Sequence, residues 1–185
     1  PSRCSVQHEV LVSDPACALC VCRLAQKHFV RVRATSVGVR IAGVREDGPV
    51  RILITGGAGF VGTQLAHRIL GSDAPIGAVE RLTLLDIAEP RAELLADERV
   101  DALVGPIGEQ VANLGPLDVV FHLAGVVSGA AEADLDLGMQ TNVDDTRALL
   151  DHLRAATEAG AAPATFVFTS SLAVFGDDPF LGQPD

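Results

Sequence analysis

Between Val50 and Thr169 the chain alternates short, β-branched apolar runs with longer stretches whose apolar residues recur at helical spacing. Arg51 to Thr55 reads as a strand, Gly56 to Gly62 as a glycine loop, and Thr63 to Leu70 as a helix with Leu65, Ala66, Ile69 and Leu70 on one face. Further strands are expected at Leu82 to Leu85, Val100 to Val104, Leu117 to Leu123 and Thr165 to Thr169. Helical segments are expected at Arg91 to Asp97, around Gly108 to Asn113, and from about Leu137 to Glu158. The strands are continuous apolar runs, with no alternation of apolar and polar positions, as in strands covered on both faces. Five such strands separated by helical segments predict an α/β domain built on a doubly wound parallel sheet, incomplete at its C-terminus. No internal repeat beyond this alternation and no low-complexity segment is visible.

Composition narrows the picture. The 185 residues are 48% hydrophobic and 21% charged, enough apolar surface to offset the entropy of ordering. A net charge of −10 gives no overall positive field to hold a polyanion, so nucleic acid and anionic membrane are not expected partners. Charge is also unevenly spread: seven basic residues against two acids up to Arg45 leave +5 there and −15 in the remainder. All four cysteines, Cys4, Cys17, Cys20 and Cys22, lie in that leading piece. The chain therefore divides into an atypical N-terminal extension, 1–49, and a second piece, 50–185. Asp14, Pro15 and Arg23 interrupt the apolar run from Val10 to Ala25, against a secretory signal, and no run of about 20 apolar residues exists. A cytoplasmic protein is expected. An arginine-rich leader is compatible with a transit peptide but is not serine-rich, and the strand at Val50 stands where a nucleotide-binding fold ordinarily begins. The expectation is that the protein starts at Val50 and that 1–49 is translated upstream sequence, or disordered. The cysteines, with His8 and His28, lack the paired spacing of zinc sites, and no metal is expected.

The strongest chemical signal is Thr55-Gly56-Gly57-Ala58-Gly59-Phe60-Val61-Gly62, which follows a strand and opens a helix. Gly56 allows a tight turn, Gly59 leaves room for a pyrophosphate beside the backbone, and Gly62 lets the helix approach the sheet. The first helical turn, with Phe60 and Val61, offers amides to phosphates. Asp86 closes the second strand, where an acid accepts hydrogen bonds from an adenosine ribose and repels a 2′-phosphate. This Rossmann-like pattern favours NAD over NADP.

The spacing Thr-Gly-x-x-Gly-x-x-Gly resembles the extended short-chain dehydrogenase/reductases, the NAD-dependent epimerases and dehydratases, over Arg51 to Gly176. Asp118 to Gly125 is similar to that family's fourth strand, and the resemblance places Leu123, Ala124 and Gly125 beneath the cofactor. Thr141-Asn142-Val143 matches the family's helix asparagine, and Phe168 to Gly176 its fifth strand and serine segment. The resemblance implies a role in cofactor binding for Asn142, Thr169 and Ser170. It implies that Ser171 hydrogen-bonds the reacting oxygen. Val126 to Gly129 and Glu132 to Gly138, with Ser170 to Gly176, resemble a branch that oxidises a secondary alcohol of a small sugar acid such as D-erythronate. The family's base is the tyrosine of a Tyr-x-x-x-Lys pair, and the chain contains no tyrosine. The expectation is a fragment that binds NAD without catalysing, from a protein that is a homodimer when full length. The alternatives are a nucleotide-sugar epimerase or dehydratase of the same family, and a non-catalytic dinucleotide-binding module.

Two departures from the family stand out. Gly105-Pro106-Ile107 replaces the acid often found after the third strand, and Asp145 stands where a small glycine is frequent. His122, on an apolar strand, is read as a packed core residue, and His67 and His152 as helix-surface residues. Asp144, Asp145 and Asp151 read as one solvated helical face, and Asp134 with Asp136 as loop or helix-start acids.

Overall fold

The computed structural model of the chain describes residues 20–21, 34–35, 38–39, 48–71, 76 and 78–170. Five parallel strands, β1 (Val50–Thr55), β2 (Val79–Asp86), β3 (Val100–Val104), β4 (Val119–His122) and β5 (Thr165–Phe168), lie in the order β3-β2-β1-β4-β5. The two-residue strand Cys20–Val21 adds antiparallel to the outer edge of β5, and Ala34–Thr35 pairs separately with Gly38–Val39.

The apolar runs form a sheet because both its faces are covered. From β1, Ile52 and Ile54 enter one layer with Leu82, Leu84, Val119, Phe121 and Val167. Leu53 enters the opposite layer with Leu85, Val120 and Phe166. The first layer is closed by α1 (Phe60–Leu70), through Ala66 and Ile69, and by α2 (Ala92–Leu95), through Leu94. The second is closed by α3 (Ile107–Gln110), which continues into a 3₁₀ turn, Val111–Asn113. After β4 come α4 (Ser128–Ala133), α5 (Leu135–Met139), a wide π turn at Gln140–Asp144, and α6 (Asp145–Glu158), whose Leu149 completes the second layer. Asp134 starts α5, accepting the Leu137 N–H at 3.0 Å.

Several elements differ from expectation in extent: α1 starts at Phe60 and not Thr63, β4 covers only Val119–His122, and the single helix expected from about Leu137 to Glu158 is α5, the π turn and α6. The helix read as Arg91 to Asp97 is the single turn of α2, because the Asp97 carboxylate turns back to accept the Arg99 N–H at 3.0 Å. The second strand begins earlier, at Val79, its exposed Arg81 pairing across to Asp101 of β3 at 3.2 Å.

The chain runs outward from β1 through β2 to β3 and then crosses back to β4 on the other side of β1. Loops leaving the carboxyl ends of β1 and β4 therefore diverge to opposite faces and leave a crevice between them. At the other end of these strands, Arg51 grips Asp118 with Nε at 3.0 Å and Nη2 at 3.2 Å, locking β1 beside the start of β4. Among the described residues no helix is long and apolar enough to cross a membrane.

Candidate cofactor-binding site

The glycine loop sits at this crevice. Gly56 has φ +73°, and a Cβ there would lie 2.9 Å from the Ala124 nitrogen, so the turn presses directly against the end of β4. Gly56 and Gly57 N–H groups donate to the Leu85 carbonyl at 2.8 and 3.3 Å, tying the loop to β2 as well. Gly62, in the first turn of α1, faces back on the loop, where any side chain would collide with the Gly56 carbonyl oxygen. Gly59 precedes the helix and is exposed, and Phe60 and Val61 project into solvent at 80% and 58% exposure. No acid lies in that first turn, so nothing there opposes an anion at the positive end of the helix dipole.

Asp86 ends β2 beside the loop. Its Oδ2 accepts the Ala58 N–H at 2.9 Å and its Oδ1 the Ala88 N–H at 3.1 Å. Gly105, φ +140°, donates its N–H to the Asp86 carbonyl at 2.8 Å, which brings the start of α3 to the same place. Ile87 and Val104 leave apolar surface exposed beside it, at 78% and 48%.

On the other side of the crevice, Leu123 N–H donates to the Thr55 carbonyl at 3.1 Å and Ala124 N–H to Thr55 Oγ1 at 3.2 Å. Gly125 follows, exposed, and the segment is then held by Asn142. Its Oδ1 accepts the Val126 N–H at 2.8 Å and its Nδ2 donates to the Val126 carbonyl at 2.9 Å, so one side chain acts as a neighbouring strand would. Thr169 ties the end of β5 to β4, donating from both N–H and Oγ1 to the His122 carbonyl. Ser170 is exposed at the same edge; Ser171, with 172–185, lies outside the described residues.

His122 is 1% exposed, packed 5.7 Å from the Phe166 ring and 5.8 Å from Phe168. It is a core residue, as expected, and also a bridge. Its Nδ1 lies 2.7 Å from Thr55 Oγ1 and its Nε2 2.9 Å from Thr146 Oγ1, which in turn donates to the Asn142 carbonyl at 3.0 Å. One protonation pattern uses every hydrogen: Ala124 N–H to Thr55 Oγ1, Thr55 O–H to Nδ1, Nε2–H to Thr146 Oγ1, Thr146 O–H to Asn142. The ring is then neutral with its proton on Nε2. Burial pushes its pKa down to about 4, partly offset by the nearby charge of Asp145.

Asp145 corrects the sequence reading. It is 3% exposed, not part of a solvated face, and its Oδ1 accepts the Gly108 N–H at 3.2 Å and Gln140 Nε2 at 3.0 Å. The carboxylate caps the first turn of α3, satisfying an amide that has no acceptor within its own helix. A Cβ on Gly108 would lie 2.8 Å from Oδ1, so a side chain at 108 would have to displace the carboxylate. Asp144 is exposed, and Asp151 pairs with Arg147 and Arg154 on the helix surface, as expected.

The fold thus brings Gly56, Gly59, Phe60, Val61, Gly62, Asp86, Leu123, Ala124, Gly125, Asn142, Thr169 and Ser170 to one edge of the sheet. The sequence reading missed the Ala58 amide, the Thr55 hydroxyl, Val126 and Thr146. Thr55, Ala58 and Val126 stand inside the motifs named above without a role of their own, and Thr146 lies four residues after Asn142, where a hydroxyl can reach the preceding turn. Among the described residues no group of three His, Cys, Asp or Glu is placed to hold a metal. Cys4, Cys17, Cys22, His8 and His28 lie outside the described residues, and Cys20 is described in its backbone alone.

Comparisons with known proteins agree with this geometry. The family model for the NAD dependent epimerase/dehydratase family matches residues 52–185. D-erythronate dehydrogenase from Cupriavidus necator is 46% identical over 136 residues, covering 69% of this chain and 40% of that protein. A nucleoside-diphosphate-sugar epimerase structure from Agrobacterium tumefaciens is 39% identical with a TM-score of 0.59, covering 70% of this chain and 39% of that one. A double mutant of dTDP-glucose 4,6-dehydratase from Streptomyces venezuelae, solved with NAD bound, is 28% identical with a TM-score of 0.50, covering 60% of this chain and 37% of that one. The chain spans about 40% of the length of the curated D-erythronate dehydrogenases it is similar to. The sheet order, the glycine loop at its switch point and the family match leave one assignment: the chain belongs to the NAD dependent epimerase/dehydratase family.

Proposed function

We propose that residues 50–185 form the NAD-binding part of a cytoplasmic oxidoreductase that oxidises a secondary alcohol of a small sugar acid, D-erythronate or a close analogue. The observation that carries this reading is the 46% identity to a D-erythronate dehydrogenase over 136 residues; the family match, 52–185, takes in the glycine loop, Asp86 and Asn142. The cradle fits a dinucleotide: Gly62 can bear no side chain, the loop is held at β2 and β4, and the first turn of α1 faces solvent without an acid. Amides at Phe60, Val61 and Gly62 would meet the phosphates. Asp86 would accept the ribose hydroxyls and reject a 2′-phosphate, and Ile87 and Val104 would flank the adenine. Leu123 to Gly125, Asn142, Thr169 and Ser170 would line the nicotinamide half. NAD, when bound, supplies a hydride acceptor. Ser171 would donate a hydrogen bond to the oxygen that changes from alcohol to ketone. The phenol base this chemistry needs is not in the chain, which holds no tyrosine, and the 185 residues alone are expected to bind NAD without turnover. Exposed Leu135, Met139 and Val143 support a homodimer of the full-length protein.

A second reading, a nucleotide-sugar epimerase or dehydratase, is favoured by the 39% identity to the Agrobacterium tumefaciens epimerase. Incubating the complete gene product with NAD and either D-erythronate or UDP-sugars separates the two. Accumulation of reduced nicotinamide with D-erythronate is the expected result. Conversion of a UDP-sugar with no net reduction of NAD would overturn the proposal in favour of the second reading.

A further inference from the structure

From the geometry we infer that His122, with Thr55 and Thr146, is a positioning residue that fixes the Leu123–Val126 segment of the cofactor site. This rests on the NAD-binding reading above. The segment is a loop between β4 and α4, and loops of this kind need fixed points if they are to present backbone groups to a ligand. Two are visible. Ala124 is pinned by the Thr55 hydroxyl at 3.2 Å, and Val126 is held on both its N–H and its carbonyl by Asn142. These two pins lie on different elements, β1 and the π turn. They are joined through His122: Nδ1 to Thr55 at 2.7 Å, Nε2 to Thr146 at 2.9 Å, and Thr146 to the Asn142 carbonyl at 3.0 Å.

The result is a closed circuit of hydrogen bonds that starts and ends on the segment. An imidazole suits the middle of it, because in its neutral form it accepts at one nitrogen and donates at the other across the ring. Phe168 stacks on the ring at 18° and Phe166 packs against it at a tilt of 34°, which restrains its plane and with it the separation of the two threonines. The π turn serves the same arrangement. It carries Asn142, and its extra width sits where the Asn142 side chain points at Val126 while its carbonyl accepts Thr146. No group of the circuit contacts a reacting atom in the functional reading; it acts through residues 123–126 and Asn142.

The test uses the full chain with Thr146→Val, which keeps the side-chain shape and removes the hydroxyl, and Thr146→Ser, which restores the hydroxyl. Thr157→Val is the control, since Thr157 makes the same bond to the carbonyl four residues earlier in α6, away from the site. Without NAD, amide hydrogen exchange at residues 124–126 should accelerate roughly fivefold in Thr146→Val and in neither of the other two. Long-range nitrogen–proton NMR should show His122 protonated on Nε2 in the unaltered chain and in Thr146→Ser. Calorimetric titration with NAD should show affinity roughly fivefold weaker in Thr146→Val and restored in Thr146→Ser. Unchanged exchange at 124–126 with unchanged NAD affinity would overturn the positioning role and leave the functional reading standing. Absence of NAD binding by the unaltered chain would overturn the functional reading and the positioning role with it.

Discussion

The Asp86 carboxylate accepts the Ala58 backbone N–H at 2.9 Å, across 28 residues of sequence, so the acid that faces the ribose in the functional reading is also a strut of the glycine loop. Its two oxygens are both engaged before any ligand arrives, the second by Ala88 at 3.1 Å. Such charge-assisted bonds preset the carboxylate direction and lower the cost of ordering it on binding.

It follows that charge and shape at this position can be separated. Asp86→Asn keeps an acceptor for Ala58 and removes the negative charge. The expected outcome is a folded protein whose preference for NAD over NADP falls roughly tenfold, because the 2′-phosphate is no longer repelled. Parallel calorimetric titrations with the two cofactors check it; an unaltered preference would place the discriminating group elsewhere.

Gly62 and Gly129 are both glycines within helices but differ in surroundings. A methyl at Gly62 would run into the Gly56 carbonyl, whereas one at Gly129 meets nothing within 4 Å. Gly62→Ala should destabilise the fold by about 1–3 kcal/mol, the usual cost of overpacking. Gly129→Ala should be neutral or stabilising by up to about 1 kcal/mol, since alanine is the better helix former. Urea denaturation of both variants measures the contrast.

The pairing of Asp145 with Gly108 predicts non-additivity. Asp145→Ala should cost about 1–3 kcal/mol by leaving the Gly108 amide and Gln140 without their acceptor. Gly108→Ala should destabilise the native chain, because its Cβ would lie 2.8 Å from the carboxylate oxygen. In the Asp145→Ala background the same change should be harmless, and a double-mutant cycle should return a coupling of about 1 kcal/mol or more. Additive effects would mean that the two residues do not meet.

Stability should also depend on pH through His122. Its folded pKa, about 4, lies below the ordinary 6.5, so between these values the unfolded chain binds a proton that the folded chain does not. The contribution is present above pH 6.5 and is lost as pH falls toward 4, amounting to at most about 3 kcal/mol. Asp97, held down to about 2 by its hydrogen bonds from Arg99, loses its contribution at lower pH and does not mask the effect. Subtracting the unfolding profile of His122→Gln from that of the unaltered chain isolates the slope; identical profiles would refute the assignment of the neutral buried ring.

Much of this architecture was legible from pattern. The runs at 51–55 and 117–123 announce strands covered on both faces because every second residue would otherwise be polar, and Ile52, Leu53 and Ile54 do alternate between two layers. The glycine loop was legible because Gly56 and Gly62 answer steric demands that no other residue meets. Asp145 was misread because Asp144, Asp145 and Thr146 look like a polar run in one dimension. On a helix, however, Asp145 shares a face with Leu149, four residues on, and both are buried. The link from Thr55 through His122 to Thr146 was not legible, since it joins three elements whose relative placement only the assembled sheet and α6 define.

The most direct measurement of the central claim is a calorimetric titration of the chain with NAD, alongside Asp86→Ala. Saturable binding by the unaltered chain is expected, with affinity at least roughly tenfold weaker in the variant through the loss of charge-assisted hydrogen bonds. No binding by the chain, or equal affinity in the two proteins, would contradict that claim.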